Sequence, residues 1–233
     1  MSEPGPALAV LAHPDDAEIS SGATLAKWAA AGRAVHLLVL TNGNRGAEAP
    51  DTDRVALAAT RAAETDRAGK VLGLAGTRVL ETHDGELENV PHVRVEVVRE
   101  IRRVRPEIVL SCDPTAWFFE DAYANHRDHR MAGEIAVDAT FPAAGNALFF
   151  QDELAGTTPW SVKELWLGWT NEPNHVEDVT GYVERKLDAL AEHESQVGGD
   201  GIFFFRDWLP EAAVREGARI GVRAGESFRV LRF

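Results

Sequence analysis

A histidine near the start of the chain is followed at once by two adjacent carboxylates, in the string His13, Pro14, Asp15, Asp16, Ala17 and Glu18. Neighbouring carboxylates repel, so keeping both ionised is easier where a cation or a shared proton offsets their charge. His13 and Asp16 stand three apart, a spacing at which a turn aims both side chains at one point while Asp15 faces elsewhere. The same string also suits a turn in which Asp15 or Asp16 caps the following helix, and both readings stay open. More than a hundred positions on comes Asn125, His126, Arg127, Asp128, His129, Arg130. His13, Asp16 and His129 together offer three N and O donors and leave a fourth position open, the donor set of a catalytic rather than a structural zinc site. Asp15 and His126 are then left close to the ion but not bound to it. Cys112 is the one cysteine, so neither an internal disulfide nor a thiolate-based zinc site is available.

These two segments must be brought together by the elements that carry them. Leu8–Ala12 and Val35–Leu40 are short apolar runs, each ending in a polar segment, and both read as buried strands. Between them Ser20, Ser21 and Gly22 open a helical stretch, Ala23–Ala31, closed by Gly32. A helix over Asp53–Leu72 follows, with Gly73 as C-cap, then a strand at Arg78–Leu80, a helix over Val93–Val104 and a strand at Ile108–Ser111. Helices over Asp128–Thr140 and Gly181–Glu194 and strands at Glu164–Leu167 and Val176–Val179 continue the alternation. Short, wholly apolar strands separated by helices require a mostly parallel sheet covered on both faces. The expected fold is a Rossmann-like α/β domain, single over residues 1–233, with a C-terminal appendage from about 198 to 233. In such sheets ligands bind at the carboxyl ends of the strands, where the strand order reverses, and both polar clusters follow strands.

Composition narrows the partners. The chain has 24 Lys and Arg against 37 Asp and Glu, a formal net charge of −13. That balance disfavours nucleic acid and anionic membrane surfaces, which depend on clustered Lys and Arg. Met1–Pro6 carries no basic segment leading into an apolar run, and no stretch approaches the roughly 18 apolar residues of a membrane span. The expectation is a cytoplasmic protein, with no membrane and no nucleic acid among its partners. Self-association into a homo-oligomer is compatible with the sequence but not specified by it.

The string HPDD with Ala17 and Glu18, Gly22 in the next helix, and the later H-x-D-H resemble the PIG-L or LmbE-like zinc N-deacetylases. The Thr41–Gly46 loop, Arg61 with Glu64 and Gly73, Asp84 with Gly85, and His193, Ser195 and Gln196 extend the resemblance over most of the chain. The loop Asn42, Gly43, Asn44, Arg45 departs from it, since many relatives carry an acidic residue there. The resemblance implies one Zn²⁺ per chain held by His13, Asp16 and His129, with Asp15 as general base. It also implies a charged His126 facing the oxyanion, with Asp128 orienting it. Fe²⁺ suits the same donors. The implied reaction is hydrolysis of an N-acyl group, acetyl by expectation, from a small amino-sugar conjugate. Arg61, Asp84 and His193 would bind substrate. Other readings stand beside these: Arg61 as a surface ion pair with Glu64, Asp84 as a turn residue before Gly85, and His193 as a core histidine. Trp117, Phe118, Phe119 and Tyr123 lie where a substrate rim would form, or else make a local core patch. The competing functions are an amidase for thiol-sugar conjugates and a non-catalytic sugar or nucleotide module. The latter is disfavoured because no G-x-G-x-x-G or P-loop string is present.

Overall fold

A computed structural model describes residues 4–233; Met1–Glu3, part of the segment read above for a leader, lie outside the described residues. The strands are β1 (Ala7–Leu11), β2 (Val35–Thr41), β3 (Gly76–Thr82), β4 (Ile108–Cys112), β5 (Phe118–Phe119), β6 (Tyr123–Ala124), β7 (Glu164–Gly168), β8 (His175–Asp178) and β9 (Gly225–Arg232). The helices are α1 (Asp16–Ala30), α2 (Arg54–Leu72), α3 (Pro91–Val104), α4 (Arg127–Asp138), α5 (Val183–Ala191), α6 (Glu194–Val197) and α7 (Gly201–Ala218). Seven strands form one sheet in the order β3-β2-β1-β4-β7-β9-β8, while β5 and β6 make a small hairpin.

The first five strands in that order pair in parallel, whereas β9 runs antiparallel to both of its neighbours. Every residue of β1 and β4 is buried, as continuous apolar runs with helices on both faces demand. Alternate residues of each strand feed opposite faces. Leu8, Val10 and Val109 pack with Val97, Ile101 and Ile135 of α3 and α4, while Ala9, Leu11 and Leu110 pack with Leu25 and Trp28 of α1. The chain turns away from β1 in both directions, to β2 on one side and β4 on the other, so the switch in strand order falls between β1 and β4.

The C-terminal segment corrects one expectation. Residues 198–233 are not peripheral: α7 is an 18-residue helix, and β9 is an interior strand between β7 and β8. Glu226, near the start of β9, reaches across to α1. That helix departs from helical geometry at Ser21 (φ −145°, ψ 15°), and the Glu226 carboxylate accepts from the N–H groups of Ala23 at 3.3 Å and Thr24 at 2.8 Å. Lys186 of α5 donates to the same carboxylate at 2.6 Å, so the buried charge is paired.

Arg102 of α3 is the other buried charge with a structural task. Its guanidinium donates to the carbonyls of Ala143, Ala144 and Asn146 and to Thr157 Oγ1, at 2.8 to 3.2 Å. It thereby serves the π-helical turn Ala139–Ala143 and the loop that returns to β7. Arg102→Leu removes a set of hydrogen bonds from a charged group, each worth about 1.5–3 kcal/mol, while the three carbonyls keep their backbone N–H partners. A loss near 3 kcal/mol is expected, a fall in Tm of roughly 6–12 °C for a chain of this size, read by thermal unfolding.

Candidate functional site

The site forms at the carboxyl ends of β1, β4 and β7, at the switch point. His13 and Pro14 leave β1, and α1 begins at Asp16, earlier than the Ser20–Gly22 opening expected from sequence. Asp15 occupies the N-cap position of α1 in a left-handed backbone (φ 100°), and its side chain makes no cap hydrogen bond. A non-glycine residue held there stores about 1–3 kcal/mol of strain, and it frees the carboxylate from the ordinary capping role. Asp16 folds back instead, its Oδ2 accepting from the His13 backbone N–H at 2.8 Å. Its other oxygen, Oδ1, lies 3.2 Å from His129 Nε2, and His13 Nδ1 stands 3.4 Å from Asp16 Oδ2.

The second segment arrives on α4, which packs tightly on β4. A Cβ at Gly133 would lie 2.3 Å from the Cys112 carbonyl oxygen, so only glycine lets the helix approach this closely. His126 is the N-cap of α4: its Nδ1 accepts from the Asp128 backbone N–H at 3.1 Å. The ring centroids of His13, His126 and His129 lie 4.7 to 5.3 Å apart, and each residue places a ring nitrogen in one common space. The Asp128 carboxylate accepts from Gly85 N–H at 2.6 Å and lies 3.5 Å from His13 Nε2. The carboxylate thus faces His13, and it is the Asp128 backbone that orients His126. Because Nδ1 of His126 accepts a hydrogen bond, its proton sits on Nε2 and the ring is uncharged, in place of the imidazolium expected from the resemblance.

The residues present fit a divalent cation. Donor atoms of His13, His126 and His129 lie within 4.8 Å of one another, as do those of His13, Asp84 and Asp128, and Asp16 Oδ1 adds a carboxylate oxygen 3.2 Å from His129 Nε2. His13 Nε2, common to both groups, is a buried ring nitrogen with no well-aligned hydrogen bond. Without an ion, burial pulls the His13 imidazole down, but Asp16, Asp128 and Asp84 outweigh it and the group is pushed up to about 12. Burial opposes ionisation of Asp16, yet His129 and His13 hold it well below the usual carboxylate range. Burial raises Asp15 to about 6, against the pull of Arg61 and with the help of the Asp16 charge. His126 is lowered by burial and by the neighbouring imidazoles.

Arg61 is not a surface residue. It is 3% exposed, and it donates to the carbonyls of Gly43 at 2.9 Å and Pro14 at 2.6 Å while standing 3.4 Å from Asp15 Oδ2. Any side chain at Gly43 or Gly46 would run into this guanidinium. Glu64 pairs elsewhere, accepting from the Ser195 N–H and hydroxyl at 2.8 and 2.6 Å. Asp84 reaches the site, with Oδ1 3.2 Å from His13 Nε2. The loop Asn42–Arg45 fastens its turn: Asn44 bonds His83 Nδ1 at 2.8 Å, and Arg45 donates to the Asp84 carbonyl at 2.6 Å.

His193 does not meet the expectation of a substrate contact. It is fully enclosed behind the HPDD loop, its Nε2 3.2 Å from Glu18 Oε2, and Glu18 is equally buried. Burial lowers its pKa, but Glu18, Asp15 and Glu64 raise it further, and the net shift is upward. Its place is to support the loop from behind. Two neighbours carried no clear sequence signal: Asn125, which meets His129, and Trp169, which stacks on the His129 ring at 4.5 Å. Trp169 directly follows the β7 strand end, and that position was the one signal available. The β5–β6 hairpin, with Trp117, Phe118 and Tyr123 more than half exposed, is tied to the same wall by Asn171, which donates to the Phe118 carbonyl at 2.9 Å.

A strand-end pocket of paired histidines and carboxylates on a mostly parallel sheet defines an α/β enzyme of the metal-site type. The family model for PIG-L, the GlcNAc-PI de-N-acetylases, matches residues 8–140, and the chain belongs to this family. It is 34% identical over 222 residues to a diacetylchitobiose deacetylase of Thermococcus kodakarensis, covering 95% of this chain and 81% of that one. It is 29% identical to a 1D-myo-inositol 2-acetamido-2-deoxy-alpha-D-glucopyranoside deacetylase of Kineococcus radiotolerans, over 71% of this chain and 52% of the relative. A solved N,N'-diacetylchitobiose deacetylase from Pyrococcus horikoshii superposes with a TM-score of 0.88 at 30% identity, covering 97% and 84% of the two chains. No helix among the described residues is long and apolar enough to cross a membrane.

Proposed function

We propose that the protein is a metal-dependent N-deacetylase that hydrolyses the acetamido group of a small amino-sugar conjugate, releasing acetate and the free amine. The observation that carries this reading is Asp15, a strained, partly exposed carboxylate lifted to about 6, standing beside but outside the donor set His13, Asp16 and His129. Those three residues would hold the ion, and zinc fits the mixed N and O donors, with Fe²⁺ the other candidate. The chemistry such an ion supplies is Lewis acidity, which lowers the pKa of water and polarises an acyl oxygen.

The remaining work falls to the chain's own side chains. At neutral pH Asp15 is ionised and takes the proton of the attacking water, then returns it to the nitrogen as the C–N bond breaks. His126 offers Nε2–H to the oxygen on which charge accumulates, a donor fixed before the reaction by the Asp128 N–H. Arg61 anchors the Pro14 carbonyl and favours the ionised form of Asp15. Asp84, half-buried at the rim, offers its free oxygen to a sugar hydroxyl. The exposed rings of Trp117, Phe118 and Tyr123 supply a stacking wall for the remainder of the substrate.

The test is a panel of N-acetylglucosamine disaccharides, inositol conjugates and thiol-sugar conjugates, followed by acetate release and free amine, with and without chelator. Chelator-sensitive acetate release from the sugars supports the proposal. Activity confined to thiol-sugar conjugates favours the amidase, and turnover untouched by chelator rejects a metal hydrolase. Arg61 gives a second check. A proton-accepting Asp15 must be ionised, and Arg61→Met removes the cation that favours this form, so the acid limb of the kcat/KM profile should move up by about one pH unit. An unchanged limb would uncouple the two residues.

A further inference from the structure

Asn125 is buried beneath the metal-ligand helix and faces two groups at once. Its Nδ2 lies 2.7 Å from the Ala116 carbonyl oxygen, and a carbonyl only accepts, which fixes this end of the amide as nitrogen. The atom 3.0 Å from His129 Nδ1 is therefore Oδ1. Two acceptors cannot share a hydrogen bond, so His129 Nδ1 carries a proton. Nε2 is then the nitrogen turned toward the site, 3.2 Å from Asp16 Oδ1, and the one free to give its lone pair to a cation. Trp169, stacked on the ring face at an interplanar angle of 30°, opposes tilting of the imidazole.

We infer that Asn125 is a positioning residue for the metal: it selects the His129 tautomer and ring orientation that present Nε2 to the cation. The inference rests on the reading of His129 as a ligand. A hydrogen-bond partner on the far nitrogen of a ligating histidine commonly contributes 10–100-fold in metal affinity. Asn125 also ties that histidine to the aromatic hairpin, because its own N–H donates to the Trp117 carbonyl at 2.8 Å. The ring proposed to hold the metal and the wall proposed to hold the substrate thus meet at one residue, through its side chain and its backbone respectively.

The experiment compares full-length Asn125→Leu and Asn125→Asp with the parent, measuring zinc affinity by competition with a chromophoric chelator and Tm of the metal-free proteins. Leucine removes the acceptor, and zinc affinity should fall about 10–100-fold. Aspartate keeps an acceptor for Nδ1–H but sets a carboxylate against the Ala116 carbonyl. Its Tm should fall while its zinc affinity stays within about threefold of the parent. Parent-like zinc binding in the leucine variant overturns the inference, and so does an aspartate variant that weakens as much as leucine, since affinity would then follow stability alone. Should the leucine variant not fold, the aspartate variant decides by the same criterion. A parent that binds zinc tightly but frees no acetate removes the proposed deacetylation and leaves this inference standing; a parent that binds no zinc removes both.

Discussion

Asp15→Asn is expected to lower kcat by about 10²–10⁴-fold, the range for loss of a general base, with bound zinc unchanged. Asparagine matches the shape of aspartate and tolerates the left-handed backbone found at this position (φ 100°), so the loop should keep its course. What it loses is the ability to accept a proton. Because burial lifts Asp15 to about 6, the parent's kcat/KM should climb as pH rises through that region and level off above it. The sign follows from the role: the base works ionised, so activity is lost as pH falls through its pKa. The variant should show low activity without that limb. Steady-state rates across pH, paired with elemental analysis of the purified variant, check both statements, and a variant with parental turnover removes Asp15 as the base.

His13→Ala is expected to lose both bound metal and activity, the latter by more than about 10³-fold, because one of three protein donors to the ion disappears. The variant should also be less stable than the parent when both are free of metal. His13 stands 3.2 to 3.5 Å from the carboxylates of Asp16, Asp84 and Asp128, and those groups hold its proton up to about 12. Alanine removes the one positive group that all three carboxylates face, leaving Asp128 with Arg127 at 3.6 Å. Elemental analysis and thermal unfolding of the metal-free proteins read the two effects separately. Stoichiometric zinc in His13→Ala would place the ion elsewhere.

The positions of these residues were legible in the sequence to unequal degrees. His13 and Asp16 could be singled out because the end of β1 is marked locally, by an apolar run giving way to His and Asp, and the structure brings His129 of α4 beside them because β1 and β4 flank the switch point. Whether Asp15 capped a helix was not legible. That depended on a backbone angle and on Arg61, which is 46 positions later and buried through a fold of the Gly43–Gly46 loop. His193 looked like a substrate residue and proved to be enclosed, since its partner Glu18 lies 175 positions away. The strand β9 read as part of a C-terminal appendage because nothing in Gly225–Arg232 announces that it inserts antiparallel between β7 and β8; that choice is made by tertiary packing. The helix α7 was missed because its apolar run Ile202–Phe205 has no helical period and stays largely uncovered on Phe203 and Phe204.

The carboxylate of Glu226 on two N–H groups of α1 joins segments 202 and 203 positions apart. The bend in the helix behind residues 13–16 takes its acceptor from a strand on the far side of the sheet, so a β1–α1–β2 fragment by itself lacks the group that completes its own turn. Shape at the pocket is in this sense borrowed from a distant part of the polypeptide.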